Sequence, residues 1–287
     1  MTFTPDPTPA TAGDPTTPNV GQERKVVLVT GASAGIGRAA ADRLAARGWT
    51  VCGASRRGTD GIGWSALVMD VDSDESVAAG VDSVLGAHGR LDAVVACAGW
   101  GLAGPVEDTP LTDAKAQLET NFWGAVRLTQ AALPAMRARG GGRIVLVSSI
   151  GGAVGIPFQA FYSASKFAME GFGEALAYEV APFDIDVVLV EPGNVRTDFT
   201  ANRRDVPVDA DDPYAAATKK AVSKMEADEA AGVDSGSAAD TVVRALEARR
   251  PPRRLSVGHP GERVGLLAKR LLPYRVFEWG AKGSLGV

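Results

Sequence analysis

The sequence predicts an α/β fold: a doubly wound parallel sheet in a single domain. Three observations point there. Short unbroken apolar runs such as Val26-Val27-Leu28-Val29 recur along the chain, longer amphipathic stretches separate them, and a glycine-rich turn follows the first run. Strands that are apolar on both faces must be covered on both faces, which calls for helices packed on either side of a parallel sheet. A length of 287 residues fits one large domain or two small ones, and the strand–helix alternation fills most of it.

The elements follow in order. Residues 26–29 form the first strand and run into the loop 31–37. Residues 38–47 are rich in alanine and form a helix that Gly48 closes. Residues 50–54 and 66–69 are the second and third strands, and Asp72 or Ser73 caps a helix reaching His88. The fourth strand is 93–96, a long helix covers 113–139, and the fifth strand is 143–147. A helix over 161–181 and a sixth strand over 186–190 complete the series, a Rossmann-type arrangement without internal repeats. Residues 1–22 hold five prolines and six threonines without lysine or arginine, and read as a disordered extension. The domain proper is 23–287. Inside it, 200–235 is polar, with Asp205, Asp209, Asp211 and Asp212 close together, and reads as a flap over the substrate rather than a metal site. In the segment 261–287, Val264, Leu266, Leu267, Leu271 and Leu272 with Arg263, Lys269 and Arg270 make an amphipathic helix, extended by Phe277 and Trp279. It is expected to cover the substrate pocket or to pack at a subunit interface.

Composition removes several function classes. With 30 basic and 34 acidic residues the net charge is −4, so no basic excess meets a nucleic-acid backbone. Two cysteines, Cys52 and Cys97, and two histidines, His88 and His259, support neither a disulfide framework nor a zinc site, so no metal is expected. No secretory leader is apparent, and the uncharged stretch 144–165 is broken by serines, glycines and Pro157, unlike a membrane span. A cytoplasmic protein follows, with a homodimer or homotetramer as the expected assembly.

The chemistry starts at Thr30-Gly31-Ala32-Ser33-Ala34-Gly35-Ile36-Gly37, between the first strand and the first helix. Glycines let backbone approach a ligand closely, and the helix start offers unpaired N–H groups and a positive dipole end that suit a pyrophosphate. About twenty residues on, the second strand ends in Ala54-Ser55-Arg56-Arg57. An acid at this place binds the ribose hydroxyl of NAD; two arginines here suit a 2′-phosphate, so NADP(H) is expected, with Ser55 and Arg56 nearest it and Arg57 beside them. Tyr162 and Lys166 are four apart, on one face of a helix, where a positive charge favours the phenolate and tunes the tyrosine for proton transfer. Ser149, thirteen residues upstream, ends the fifth strand at the carboxyl edge of the sheet.

These motifs together resemble the short-chain dehydrogenase/reductase family, in its short single-domain branch, over 25–257. The resemblance implies a role for each matching position. Gly31, Ser33, Ala34, Gly35, Ile36 and Gly37 would bind the pyrophosphate. Tyr162 would be the general acid/base, Lys166 would lower its pKa and hold the nicotinamide ribose, and Ser149 would orient the substrate carbonyl. Asn121, in Thr120-Asn121-Phe122-Trp123-Gly124, would hold a water for proton relay. Asp70 and Val71 would contact adenine, Ala98 and Gly99 would lie along the dinucleotide, and Pro192, Gly193, Val195 and Thr197 would close over the nicotinamide carboxamide. One departure is Ala96-Cys97-Ala98-Gly99, where the family usually has Asn-Asn-Ala-Gly.

The stretch from Gly155-Ile156-Pro157-Phe158 through Tyr162 to Gly171 looks like the 17β-hydroxysteroid and retinol dehydrogenase group, as does 191–199. That implies a hydrophobic or polycyclic ketone, aldehyde or alcohol as the small-molecule substrate, with Trp100, Leu102, Val154, Ile156, Phe158 and Phe199 as candidate pocket walls. The expected function is therefore an NADP(H)-dependent oxidoreductase. The alternative is a non-catalytic NADP(H)-sensing regulator, which would typically lack the tyrosine or lysine. A sugar-nucleotide epimerase would need a larger C-terminal domain and a different glycine spacing.

Overall fold

A computed structural model describes residues 24–285 and contains the expected sheet. Its seven strands are β1 Val26–Thr30, β2 Thr50–Ser55, β3 Ser65–Val68, β4 Ala93–Ala96, β5 Gly142–Val147, β6 Ile185–Pro192 and β7 Arg254–Val257. All neighbours are parallel, in the order β7-β6-β5-β4-β1-β2-β3. The order reverses between β1 and β4, and the loops leaving those two strands diverge to opposite faces, opening a crevice at their carboxyl ends.

The helices are α1 Gly35–Ala46, α2 Asp74–His88, α3 Leu111–Leu118, α4 Gly124–Arg139, α5 Ala160–Val180, α6 Phe199–Asn202, α7 Ala215–Ala230, α8 Ser235–Glu247, α9 Pro260–Leu271 and α10 Tyr274–Leu285. Two apolar layers sandwich the sheet. On one face Leu28, Met69, Leu128, Met136, Ile144 and Met169 join the sheet to α2, α4 and α5. On the other, Val27, Val29, Leu44, Val242 and Leu246 join it to α1 and α8. Ser73 caps α2 by accepting from the Ser76 N–H at 3.1 Å, and Gly89 ends it in the left-handed conformation.

Several boundaries differ from the sequence reading. The helix expected over 113–139 is α3, a π-helical turn at Glu119–Trp123, and α4; the turn inserts an extra residue and buries Asn121. The edge strand β7 had no apolar signature, because half-buried Arg254 and Ser256 alternate with Leu255 and Val257. The polar segment 200–235 holds α7 and parts of two short strand pairs. The extension 1–22 lies outside the described residues. In α9 only Leu266 is buried, while Val264, Leu267 and Leu271 are exposed. Among the described residues no helix is long and apolar enough to cross a membrane.

At the opposite edge from the crevice, buried Asp92 ties β1 to β4. Its carboxylate accepts from the Val26 N–H and from Arg90 Nε and Nη2, each at 2.8 Å, and pairs with Arg139. Burial alone would raise its pKa, but the hydrogen bonds from Arg90 and Val26 and the charge of Arg139 outweigh it and hold the carboxyl below its ordinary 3.8. A depressed folded-state pKa means stability that is present above the ordinary carboxylate range and lost as pH falls through the folded value. Asp92→Asn is therefore expected to cost about 2 kcal/mol in urea unfolding at neutral pH. The gap from the parent should close as the pH is lowered through the acid range.

Candidate active site

The crevice between the β1 and β4 loops is a cleft of about 550 Å³. At its floor, Gly31 has φ +70°, and a Cβ there would lie 2.9 Å from the Ala98 nitrogen, so only glycine lets the two loops meet. Gly37 is as constrained, since its Cβ would lie 2.5 Å from the Gly31 carbonyl oxygen. Thr30 stitches the loops from below: its hydroxyl accepts from the Cys97 and Ala98 N–H groups at 3.1 and 3.2 Å. The Thr30 hydroxyl thereby caps two backbone groups of the Ala96–Gly99 stretch.

Every cofactor residue expected from the sequence lines this cleft: the six loop positions, Ser55, Arg56, Arg57, Asp70, Val71, Ala98, Gly99, Pro192, Gly193, Val195 and Thr197. The fit to a dinucleotide rests on α1. Ala34, the N-cap residue of α1, offers no side-chain cap, and the first turn holds no acid, as is also true of α5 and α7. Ala34, Gly35 and Ile36 line the cleft, so this positive helix end opens into it and suits an anionic group. At the end of β2, Arg57 Nη2 donates to Ser33 Oγ at 3.0 Å, bringing the guanidinium onto the glycine loop. Ser55 Oγ accepts from the Gly58 N–H at 3.2 Å. Arg57 is thus bonded to the glycine loop, and Arg56 lines the cleft beside it.

The proposed proton-transfer residues converge from two elements. Ser149 follows β5, and Tyr162 and Lys166 sit one turn apart on α5; all three line the cleft and are less than a tenth exposed. Ser149 Oγ accepts from the Gly151 N–H at 3.0 Å and is hydrogen-bonded with Tyr162. Burial pushes the Tyr162 phenol up to about 12, the bond with Ser149 pulls the other way, and the Glu229 charge adds to the rise. Burial brings the Lys166 ammonium down to about 8; it donates to the Val147 carbonyl at 2.9 Å. Asn121 lies behind the wall, fully buried. Its Oδ1 accepts from the Trp100 N–H, and its Nδ2 donates to the Trp100 carbonyl, each at 3.0 Å. Nδ2 also lies 3.2 Å from Ser165 Oγ.

Of the apolar wall candidates, Trp100, Ile156 and Phe199 line the cleft and Leu102, Val154 and Phe158 do not. Cys97 also lines it, its thiol pushed up to about 11 by burial and so a neutral packing group. The sequence reading missed Gln159, Asn202 and Glu229, which reach the cleft from α5 and the flap. Nothing marked Glu229 among the many charges around it. The aspartates of the flap are spread out, Asp205 pairing with Arg203 and Asp212 accepting from the Tyr214 N–H. Among the described residues no group of three such side chains could hold a metal ion.

The family model described as short chain dehydrogenase matches residues 25–207. The chain is 36% identical over 260 residues to the 3-ketodihydrosphingosine reductase of Bacteroides thetaiotaomicron, covering 90% of this chain and 97% of that one. It is 43% identical over 190 residues to retinol dehydrogenase 8 of Bos taurus, covering 61% of this chain and 60% of that one. A solved short-chain dehydrogenase from Streptomyces avermitilis superposes with a TM-score of 0.79 at 34% identity, covering 92% of this chain and 99% of that one.

One contact links the cleft to the C-terminal segment. Glu262, in the first turn of α9, accepts from the Asn194 N–H at 2.9 Å, from Asn194 Nδ2 at 2.7 Å and from the His259 N–H at 2.7 Å. A Cβ on Gly193 or Gly258 would come within 2.3 Å of that carboxylate, so both glycines make room for it. Glu262 thereby pins the 192–197 loop from behind. Glu262→Ala is expected to speed amide hydrogen exchange at Gly193 and Asn194 by about tenfold or more, with the sheet amides unchanged. An unaltered exchange pattern would show that the loop is held by other contacts.

Proposed function

This chain belongs to the short-chain dehydrogenase family, and from that premise we propose an NADP(H)-dependent enzyme that interconverts a hydrophobic ketone or aldehyde with its alcohol. Membership carries the coarser statement: it is an oxidoreductase acting on CH–OH or carbonyl groups. The observation that carries the finer reading is the convergence of Ser149, Tyr162 and Lys166 on a cleft that also holds an uncapped helix end and an arginine pair.

Bound along the glycine loop, a nicotinamide dinucleotide supplies or accepts the hydride. Gly31, Ser33, Ala34, Gly35, Ile36 and Gly37 would hold its pyrophosphate, Arg57 with Ser33, and Arg56 with Ser55, a 2′-phosphate, and Asp70 and Val71 the adenine. Pro192, Gly193, Val195 and Thr197 would hold the nicotinamide end, beside Ala98 and Gly99. Tyr162 gives its phenolic proton to the substrate oxygen as the carbonyl is reduced, and takes it back in the reverse direction. Ser149 donates a hydrogen bond to the same oxygen, orienting the carbonyl and stabilising the charge that develops there. Lys166 keeps a positive charge beside the ribose and the phenol. Asn121 fixes both polar groups of the Trp100 backbone and so holds the far wall of the cleft.

The hydrophobic substrate class draws support from Trp100, Ile156 and Phe199 and from the relative named for a keto group. The catalytic unit is read as 23–287, with 200–235 as the flap, in a cytoplasmic homodimer or homotetramer. A non-catalytic sensor is disfavoured because both Tyr162 and Lys166 are in place and face the cleft.

Tyr162→Phe is expected to lower kcat for NADPH-driven ketone reduction about a thousandfold, with the NADPH Kd changed by less than about twofold. Arg57→Asp and Arg56→Asp should each raise the NADPH Kd about tenfold or more while sparing NADH. A cofactor ratio that moves in neither variant would place the phosphate elsewhere. Because burial keeps the phenol protonated, reduction should stay level across neutral pH while alcohol oxidation, which needs the phenolate, climbs with pH.

A further inference from the structure

No carboxylate among the described residues is hydrogen-bonded to the buried Lys166 ammonium. It donates to the Val147 carbonyl and lies 5.9 Å from the centre of the Tyr162 ring, and neither partner carries a formal charge. Cys97, on the β4 side, is a neutral thiol at working pH. A cation taken out of water needs a negative charge within reach to remain a cation.

Glu170 is placed to supply it. It follows Lys166 by four residues on α5, so both side chains leave the same face of the helix, and both residues are buried. That face is pressed onto the turn after β5. A Cβ on Gly152 would lie 2.9 Å from the Lys166 carbonyl oxygen, 3.1 Å from Glu170 Cγ and 2.7 Å from Ser148 Oγ, so a larger residue would force the two apart. From β7, Arg254 Nε pins Glu170 Oε2 at 2.9 Å, while the same guanidinium takes Glu174 at 2.8 Å and lies 3.6 Å from Glu191. Glu174 is one turn further from Lys166 and more than half exposed, and Glu191 accepts from the Ser256 hydroxyl at 2.7 Å. Glu170 does not line the cleft, so it touches neither substrate nor dinucleotide.

We infer that Glu170 is a positioning residue for the proton transfer: its carboxylate, pinned by Arg254, keeps the Lys166 ammonium charged beside Tyr162. The inference rests on the ketone chemistry proposed above and adds a residue that acts through Lys166. As the proton leaves Tyr162 for the substrate oxygen, negative charge develops on the phenol oxygen, and Lys166 stabilises it only while protonated. Burial brings the Lys166 group down to about 8, and the charge of Glu170 works against that fall. Burial raises the Glu170 carboxyl in turn, and the Arg254 guanidinium in contact with it favours the charged form. Without that carboxylate, Lys166 would lose its proton at a lower pH, and ketone reduction would fail there with it.

The alkaline limb of kcat for NADPH-driven reduction of 2-dodecanone reads the Lys166 charge, and it should move about one pH unit lower in Glu170→Gln. Glu170→Asp keeps the charge and should stay within about 0.3 unit of the parent. The Lys166 titration is also read without turnover, from the pH dependence of its acetylation by acetic anhydride, followed by peptide mass spectrometry. The same downward shift is expected there. Glu174→Gln takes a different carboxylate from the same arginine and should leave both readings in place. An unmoved titration or an unmoved limb in folded Glu170→Gln, or an equal shift in Glu174→Gln, would overturn the inference. A parent that reduces no ketone, while its Lys166 titration still depends on Glu170, would overturn the ketone reading and leave the link between the two residues standing. Should Glu170→Gln not fold, Glu170→Met, close in volume and without an unpaired amide, takes its place with the same expectation. Arg254 keeps Glu174 and Glu191 in either variant.

Discussion

The close approach of two backbone segments at the reversal of strand order governs the rest of the site. Gly31 and Ala98 come so near that no side chain fits between them, and Thr30 holds the contact by taking two N–H groups of the neighbouring loop on one hydroxyl. With Gly37 packed onto the Gly31 carbonyl, the start of α1 is locked to the same floor. The helix end therefore points into the cleft as a fixed dipole rather than a mobile one, and no reorganisation is needed when an anion arrives. Where the resemblance has Asn-Asn-Ala-Gly this chain has Ala96-Cys97-Ala98-Gly99, and the threonine beneath the loop caps its backbone from the β1 side.

Burial sets the electrostatics on top of that floor. Taking the phenol of Tyr162 and the ammonium of Lys166 out of water favours the neutral form of each, raising the one to about 12 and lowering the other to about 8. In the chain by itself this outweighs the tuning expected from the Tyr–Lys spacing. At neutral pH the phenol is therefore protonated, as the proposed proton transfer to a carbonyl requires. Ser149 and Glu229 pull the phenol in opposite directions, one through a hydrogen bond and one through its field.

What the sequence made legible followed from local rules. Unbroken Val and Leu runs marked the inner strands because both faces are covered, and glycine spacing marked the cleft floor because backbone contact excludes every other residue. Tyr162 and Lys166 were visible because four residues is one helical turn. The misses share a different cause. The strand β7 lies at the edge, where one side of the ladder is open and polar residues are tolerated, so its pattern matched no buried strand. The π-helical turn that buries Asn121 has no compositional mark, so the pattern predicted one unbroken helix over 113–139.

The flap and the C-terminal helix show how far periodicity reaches. A 3.6-residue repeat in α9 says that an apolar stripe exists, not which neighbour it meets. Leu266 alone turns inward; Val264, Leu267 and Leu271 face outward, and none of α9 lines the cleft. The contact that joins this helix to the site is polar, Glu262 between two glycines, and it works because a carboxylate fits where a Cβ would not. The same holds for Glu229, whose position depends on Thr200 and Arg203, both from the other end of the flap. Residues brought together by tertiary packing rather than by a turn of helix carry no local signature. Glu229 and the Glu262 contact are of this kind, whereas the glycine loop and the Tyr162–Lys166 pair each lie within one short stretch of chain.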